Sequence, residues 1–228
     1  MRRRAYLAAG LATIAPLAGC TGGDEGGNES STGNSDGGDE EPALRIVDHE
    51  VVEGGPTGLF LAVTVENGTE SPTGWLTLDV EWLDEDGTVV GSDMTHLGTL
   101  DTGETWEARV HYTGDETGVE DYRIEGVADL ERATAPEGLE LLESAMGIDG
   151  DEVVVEGLVE NATGADQPTV EAIAIVYDDG GTVLDDAWTS VSDLADGETW
   201  AFEATWRAFD RAEAAADHVV VLSDSAFG

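Results

Sequence analysis

From about residue 43 onward, apolar and polar positions alternate in short runs that are separated by turn residues. Leu76, Leu78, Val80 and Trp82 alternate with polar residues, which is the period-two pattern of a strand with one buried face. Similar runs begin at Trp106 and Trp200, and residues 153–155 and 173–177 form continuous β-prone runs. Asp-Gly, Gly-Gly and Thr-Gly pairs, which favour tight turns, lie between the runs. The pattern predicts an all-β protein.

The β-rich part of the chain contains an internal repeat. When the sequence is shifted by 94 residues, residues 65–106 align without a gap on residues 159–200, and 14 of the 42 positions are identical. The identities include a Val-Glu-Asn-x-Thr segment and a Gly-Glu-Thr-Trp segment. Short strands with turns every 8–12 residues are typical of antiparallel sandwiches. We therefore predict two sandwich domains of about seven strands each, at residues 43–131 and 138–228. The alanine-rich stretch 207–217 is predicted as a helical turn or a long loop.

The N-terminus has the layout of an export signal, with a basic head, a short apolar middle and small residues before Cys20. Arg3 and Arg4, followed by Ala-Tyr-Leu, resemble the core of a twin-arginine export signal. The sequence Leu-Ala-Gly before Cys20 resembles a lipobox, in which cleavage leaves a lipid-carrying cysteine at the new N-terminus. We predict a signal peptide at residues 1–19 and lipidation of Cys20. The alternative is an ordinary cleaved signal with an incidental cysteine.

The composition of the chain indicates a linker after Cys20 and an unusually large negative charge. Residues 20–42 are rich in Gly, Asp, Glu, Asn and Ser, so we predict a disordered linker that cannot bury apolar surface. The chain has 50 acidic residues, nine arginines and no lysine, for a formal net charge of −41. Such repulsion is screened at molar salt, and an acidic excess without lysine resembles the proteins of extreme halophiles. The alternative is a polyanionic surface that captures cations or a basic partner. The lack of basic patches argues against a nucleic-acid partner.

Two equivalent strand segments suggest a family. Residues 80–84 read Val-Glu-Trp-Leu-Asp and residues 174–178 read Ala-Ile-Val-Tyr-Asp, each between the two segments that the repeats share. Both resemble the FxLYD domain, named for a Phe-x-Leu-Tyr-Asp strand and common in halophile lipoproteins. The resemblance covers most of residues 58–125 and 152–222, and Phe is replaced in both repeats. It implies two tandem antiparallel immunoglobulin-like β-sandwich domains on an exported protein, and it supplies no catalytic residues.

Several residues are candidates for sites, each with a structural alternative. Asn28, Asn67 and Asn161 begin N-glycosylation sequons, although the last two could instead close turns. The acidic segments beginning at Asp84 and Asp178 resemble calcium loops but lack the bidentate glutamate of an EF-hand, and hairpin turns explain them better. Most tryptophans fit the core, whereas Trp75 and Trp188 fit it least and could stack on a sugar. The histidines lack metal-ligand spacing; they are His49, His96, His111 and His218.

No pattern for catalysis is found. Ser190 and Ser192 lack the Gly-x-Ser-x-Gly elbow of a nucleophile, and with 50 acidic residues a close pair of carboxylates says nothing about glycoside chemistry. We expect no enzyme activity, no cofactor and no metal. The sequence predicts a non-catalytic binding or structural protein, lipid-anchored on the outer face of the cell membrane, with an unidentified protein or envelope partner. The alternative is a solute- or ion-binding component of a membrane transporter.

Overall fold

A computed structural model describes residues 44–55, 58–114, 118–128, 132 and 134–224. The predicted signal, Arg3, Arg4, Cys20, Asn28 and the acidic linker lie outside these residues. The described part contains twelve strands and one short 3₁₀ helix, at Phe209–Ala214. The strands are β1 (Leu44–Gly55), β2 (Gly58–Asn67), β3 (Leu76–Leu83), β4 (Val89–Leu97), β5 (Thr105–His111), β6 (Asp121–Ala128), β7 (Leu139–Asp149), β8 (Glu152–Asn161), β9 (Gln167–Tyr177), β10 (Val183–Leu194), β11 (Thr199–Arg207) and β12 (Asp217–Ser223).

Each repeat folds into two three-stranded layers with the same strand order. In the first repeat β1, β2 and β5 form one layer and β4, β3 and β6 the other; in the second these become β7, β8, β11 and β10, β9, β12. All pairings within a repeat are antiparallel. The predicted all-β, immunoglobulin-like sandwich fold is therefore confirmed.

The described residues contain six strands in each repeat, one fewer than the seven or so that the sequence predicts. Between β4 and β5, residues 98–104 form a turn in which Leu100 accepts a hydrogen bond from the Asn67 side chain and Gly103 donates one to the Asn67 carbonyl. These bonds use the polar groups that a further ladder would need.

The alternation read from the sequence places the expected side chains in the core. Trp82 and Trp106 are completely buried, as are Val80 and Val110 on the same strands. In the second repeat, Phe202 on β11 is also buried. Each full burial of a large apolar side chain contributes about 1.5–3 kcal/mol, so these strands supply much of the stability of each sandwich.

Strand β9 is apolar on both faces because it serves two cores. Ala174 and Val176 pack in the second repeat, whereas Ile175 belongs to the core cluster of the first. Val183 on β10 joins the same first-repeat cluster. A strand covered on both faces needs no polar alternation, which explains the continuous run at residues 173–177.

The two repeats share one six-stranded sheet, in the order β1-β2-β5-β10-β9-β12. A single parallel bridge between Trp106 and Val183 joins β5 to β10. Around it, the Tyr177 hydroxyl donates a hydrogen bond to Glu104 Oε1 at 3.0 Å, and the Gly98 amide donates to Asp186 Oδ2 at 2.6 Å. The interface between the repeats therefore combines packed apolar side chains with hydrogen bonds at its edge.

The alanine-rich stretch is the connection between β11 and β12. It forms the 3₁₀ helix, whose Ala212 is buried, and β12 begins three residues after the helix ends. This confirms a helical turn at that position. Within the described residues, no helix has the length and apolar character needed to span a membrane.

Candidate functional site

The repeated asparagine motif closes an equivalent turn in both repeats. Asn67 Nδ2 donates to the carbonyls of Ser71 and Leu100, at 3.1 and 2.8 Å. Asn161 Nδ2 donates to the equivalent carbonyls of Ala165 and Leu194, both at 2.9 Å. Both asparagines are completely buried, so the motif is part of the fold in each repeat.

This geometry argues against Asn67 and Asn161 as glycosylation sites in the folded protein. A glycan is attached at Nδ2, and that atom is buried and makes two hydrogen bonds in each case. Attachment replaces one of the two Nδ2 hydrogens, so at least one of these hydrogen bonds would be lost, and the buried site offers no room for a sugar without opening the turn. The third sequon, at Asn28, lies outside the described residues.

The acidic segments suggestive of calcium loops are hairpin turns. Asp84 Oδ1 accepts hydrogen bonds from the amides of Asp86 and Thr88, at 2.9 and 2.8 Å. Asp178 makes the same pair of bonds in the second repeat. Gly87 has φ +76°, a conformation that glycine adopts without strain. These aspartates therefore order the turns between β3 and β4 and between β9 and β10.

The tryptophans divide as the sequence predicts. Trp82, Trp106 and Trp206 are buried, and Trp200 packs against the second-repeat core. Trp75, only partly buried, stacks on His96 with ring centroids 4.5 Å apart. Trp188 is 44% exposed. These last two fit the core least, as expected.

The histidines lie in separate places. His49 Nδ1 lies 2.5 Å from the Tyr122 hydroxyl, and His218 Nε2 lies 3.0 Å from Ser144 Oγ. His96 stacks on Trp75, and burial lowers the pKa of its imidazole. Across the described ranges, no three or more His, Cys, Asp or Glu side chains are arranged to hold a metal ion.

A cleft of about 240 Å³ lies between the repeats. Strands β4 and β5 of the first repeat form one side, and β10, β11 and the 3₁₀ helix of the second form the other. The side chains are mainly charged or aromatic. The lining residues are Asp93, Met94, Thr95, Arg109, His111, Thr113, Asp185, Trp206, Arg207, Ala208, Phe209, Asp210 and Arg211.

Three arginines line this cleft, and each lies over an aromatic ring. The Arg109 guanidinium is 4.7 Å from the centre of the Phe60 ring, and that of Arg207 is 4.9 Å from Phe209. Arg211 lies 5.6 Å from the Trp206 ring. Cation–π contacts of this kind hold a guanidinium in place without using its hydrogen-bond donors.

The deepest cation is Arg211, which is 7% exposed and whose Nη2 has no hydrogen-bond partner among the residues that the structure describes. Burial lowers its pKa, and the charge of Arg109 adds to this effect. Asp185 is a neighbouring carboxylate; burial, reinforced by the charge of Asp186, raises its pKa to about 7. Asp185, Glu107 and Asp210 act on Arg211 in the opposite direction and favour the charged guanidinium.

Asp186 seals the interface beside the cleft. Its carboxylate accepts the Gly98 amide, and burial raises its pKa to about 6, against the opposing effect of that hydrogen bond. A Cβ at Gly98 would lie 2.9 Å from Asp186 Oδ2 and 3.0 Å from the Ile173 side chain. The close approach of the two repeats therefore needs glycine at this position.

Sequence reasoning did not find this cleft. The usable signal was the scarcity of arginine: only six follow Cys20, and three of them line this one cleft. A second signal was the Asp185–Asp186 pair, which interrupts an otherwise apolar start of β10. Neither signal indicates which side chains meet, because the cleft forms only when the repeats pack together.

No protein-family model and no curated protein sequence matches the chain, so the FxLYD resemblance stays a prediction. The chain shares weak similarity with a number of solved structures, including the following three. Red sea bream transglutaminase is 11% identical, with a TM-score of 0.23, and the match covers 72% of this chain and 28% of the transglutaminase. The Amycolatopsis orientalis exo-chitosanase CsxA is 14% identical, with a TM-score of 0.23, and the match covers 76% of this chain and 26% of the chitosanase. The C-terminal globular domain of an oligosaccharyltransferase from Pyrococcus abyssi is 10% identical, with a TM-score of 0.20, and the match covers 79% of this chain and 46% of that domain. The chain thus spans less than half of each, and similarity this weak carries no argument about function.

Proposed function

We propose that this protein is an exported, lipid-anchored module on the outer face of the cell membrane of an extreme halophile, where it serves non-catalytic binding or envelope architecture. The observation that carries the proposal is the Leu-Ala-Gly-Cys segment ending at Cys20, the single cysteine of the chain. The proposal is also supported by the motifs shared between the repeats, because their polar side chains are used in turns.

Replacing Cys20 by serine is expected to remove the lipid and release the protein from the membrane fraction. A single thiol is the only attachment point that this mechanism offers. The measurement is immunoblotting of membrane and soluble fractions, together with the intact mass of the membrane-extracted parent protein. Thr21→Ser is the control, since it changes the neighbouring residue and keeps the thiol. A parent mass without added lipid, or a Cys20→Ser protein that is processed normally and stays in the membrane, would contradict the anchor.

Transfer from molar KCl into dilute buffer is expected to unfold both repeats. At 1 M salt the Debye length is about 3 Å, whereas at 0.01 M it is about 30 Å, so the repulsion among the acidic groups is no longer screened. Circular dichroism follows the loss of the β-type spectrum. Sucrose of equal osmolality is the control, because it is excluded from the protein surface and screens no charge. An unchanged spectrum in dilute buffer would contradict the salt adaptation.

A second candidate function is the solute-binding component of a membrane transporter. The cleft between the repeats favours it, because ligand sites commonly lie at domain interfaces and combine apolar walls with a few polar groups. A solute that binds there would raise the melting temperature with increasing concentration. Crosslinking on intact cells separates the two candidates: the first expects an envelope partner, and the second expects membrane transporter subunits.

A further inference from the structure

The polar groups of the cleft between the repeats are unevenly satisfied. Asp93 accepts hydrogen bonds from Trp82 Nε1 at 2.9 Å and from Thr113 Oγ1 at 2.7 Å. Asp210 accepts from Arg109 Nη1 at 2.7 Å. The acceptors on the cleft walls are therefore largely occupied, while a donor of Arg211 at the floor has no partner among the described residues. An unpaired buried donor costs about 1–3 kcal/mol. A ligand that brings an acceptor to Arg211 Nη2 would remove this cost.

The basic side of the cleft contrasts with the rest of the chain. With 50 acidic residues and nine arginines in total, a chance set of thirteen lining residues would contain far fewer than three arginines. Within the described part of the chain, Arg207 forms one long, exposed ion pair, with Asp151 at 3.7 Å. Guanidinium groups match the planar geometry of a carboxylate better than any other side chain does. Arg207 and Arg211 together therefore suit a ligand carboxylate.

The rim of the cleft is apolar and held in an unusual conformation. Phe209 is 39% exposed and has φ +52°, a region that bulky residues rarely adopt. Its ring contacts both the Arg207 guanidinium, at 4.9 Å, and the His111 imidazole, at 5.7 Å between ring centroids. Met94 is 65% exposed on the opposite wall. An apolar ligand body could bury both side chains while its charged end reaches the floor.

We propose that the cleft between the repeats binds a small carboxylic acid with an aromatic or apolar body. The carboxylate contacts the guanidinium groups of Arg211 and Arg207, and the body lies against Phe209 and Met94. The buried Nη2 of Arg211 supports this arrangement, because among the described residues it has no acceptor and a ligand carboxylate would supply one. The inference goes beyond the proposed function: it requires the folded repeats but not the lipid anchor, so either can fail while the other stands.

The chain contains its own reporter for the test. Of its three methionines, Met94 lies on the cleft wall and Met146 packs in the second repeat. With ¹³C-methyl methionine in the full chain at 2 M KCl, titration with sodium benzoate is expected to shift the Met94 signal saturably and leave Met146 in place. Benzamide, which has the same shape without the charge, is expected to bind at least tenfold more weakly.

Matched variants locate the charge. Arg211→Gln and Arg207→Gln are each expected to weaken benzoate binding about tenfold or more, whereas Arg123→Gln, which removes an exposed arginine from β6, is expected to change nothing. If benzoate binds no more tightly than benzamide to the parent protein, the proposal is overturned even if Arg211→Gln fails to fold. Acetate binding as tightly as benzoate would overturn the apolar half of the proposal.

Discussion

Replacing Asn67 by aspartate is expected to destabilise the first repeat by about 3–5 kcal/mol, the range seen when a buried polar network receives an unpaired charge. The buried amide nitrogen would become a carboxylate oxygen facing the carbonyls of Ser71 and Leu100. Neither carbonyl can donate a hydrogen bond to the new oxygen, so both lose the amide donor of Asn67. The carboxylate keeps only the bond from the Thr69 amide that Asn67 Oδ1 already accepts. Since whole domains are stable by about 5–15 kcal/mol, this repeat is expected to lie near its unfolding limit.

The measurement is chemical unfolding in 2 M KCl, with Asn161→Asp tested as the equivalent change in the second repeat. Gln167→Glu is the control, because it makes the same amide-to-acid change at a partly exposed side chain. We expect it to cost less than 1 kcal/mol, as most surface changes do. Equal losses for Asn67→Asp and Gln167→Glu would show that the turn does not depend on the amide donor.

Replacing Asp186 by asparagine is expected to stabilise the protein at pH 8 and to have little effect at pH 4. Burial raises the pKa of Asp186 from its ordinary 3.8 to about 6 in the folded state. Between these values the folded state binds more protons than the unfolded state, so this group lowers the unfolding free energy as pH rises through the window. Its stabilising contribution is complete below pH 4 and lost above pH 6. Asparagine cannot ionise, so the variant does not lose this stability as pH rises. Its side-chain oxygen can still accept the hydrogen bond from the Gly98 backbone N–H.

The expected gain at pH 8 is about 2–3 kcal/mol, since each unit of pKa shift is worth about 1.4 kcal/mol. It is measured as the difference in unfolding free energy between variant and parent at pH 4, 6 and 8 in 2 M KCl. Glu143→Gln removes one exposed charge and serves as the control for net charge. A gain of the same size at every pH, or one matched by Glu143→Gln, would mean that burial of Asp186 is not the cause.

The local structure of each repeat could be predicted because the sequence carries its own turn signals. Gly87 and Gly181 both adopt positive φ after an aspartate that caps the turn. Asn67 ends β2, as its place after an alternating run suggests. These interactions span few residues or repeat 94 positions later, and a pattern in one chain is enough to detect them.

Long-range packing could not be predicted in the same way. The run at residues 173–177 indicates a strand buried on both faces, but not that one face meets the core of the first repeat. Arg109 and Asp210 form an ion pair across 101 positions, and neither residue is distinguished by its neighbours in sequence. The cleft consists of such distant pairs, and so it becomes visible only in three dimensions.

The shared sheet has made two duplicated copies dependent on one another. Ile175 and Val183 belong to the second repeat, but their side chains complete the hydrophobic core of the first. Cutting the chain near residue 136 would therefore expose apolar side chains on both halves, and the halves would not behave as independent domains. The two repeats are therefore expected to melt in a single cooperative transition.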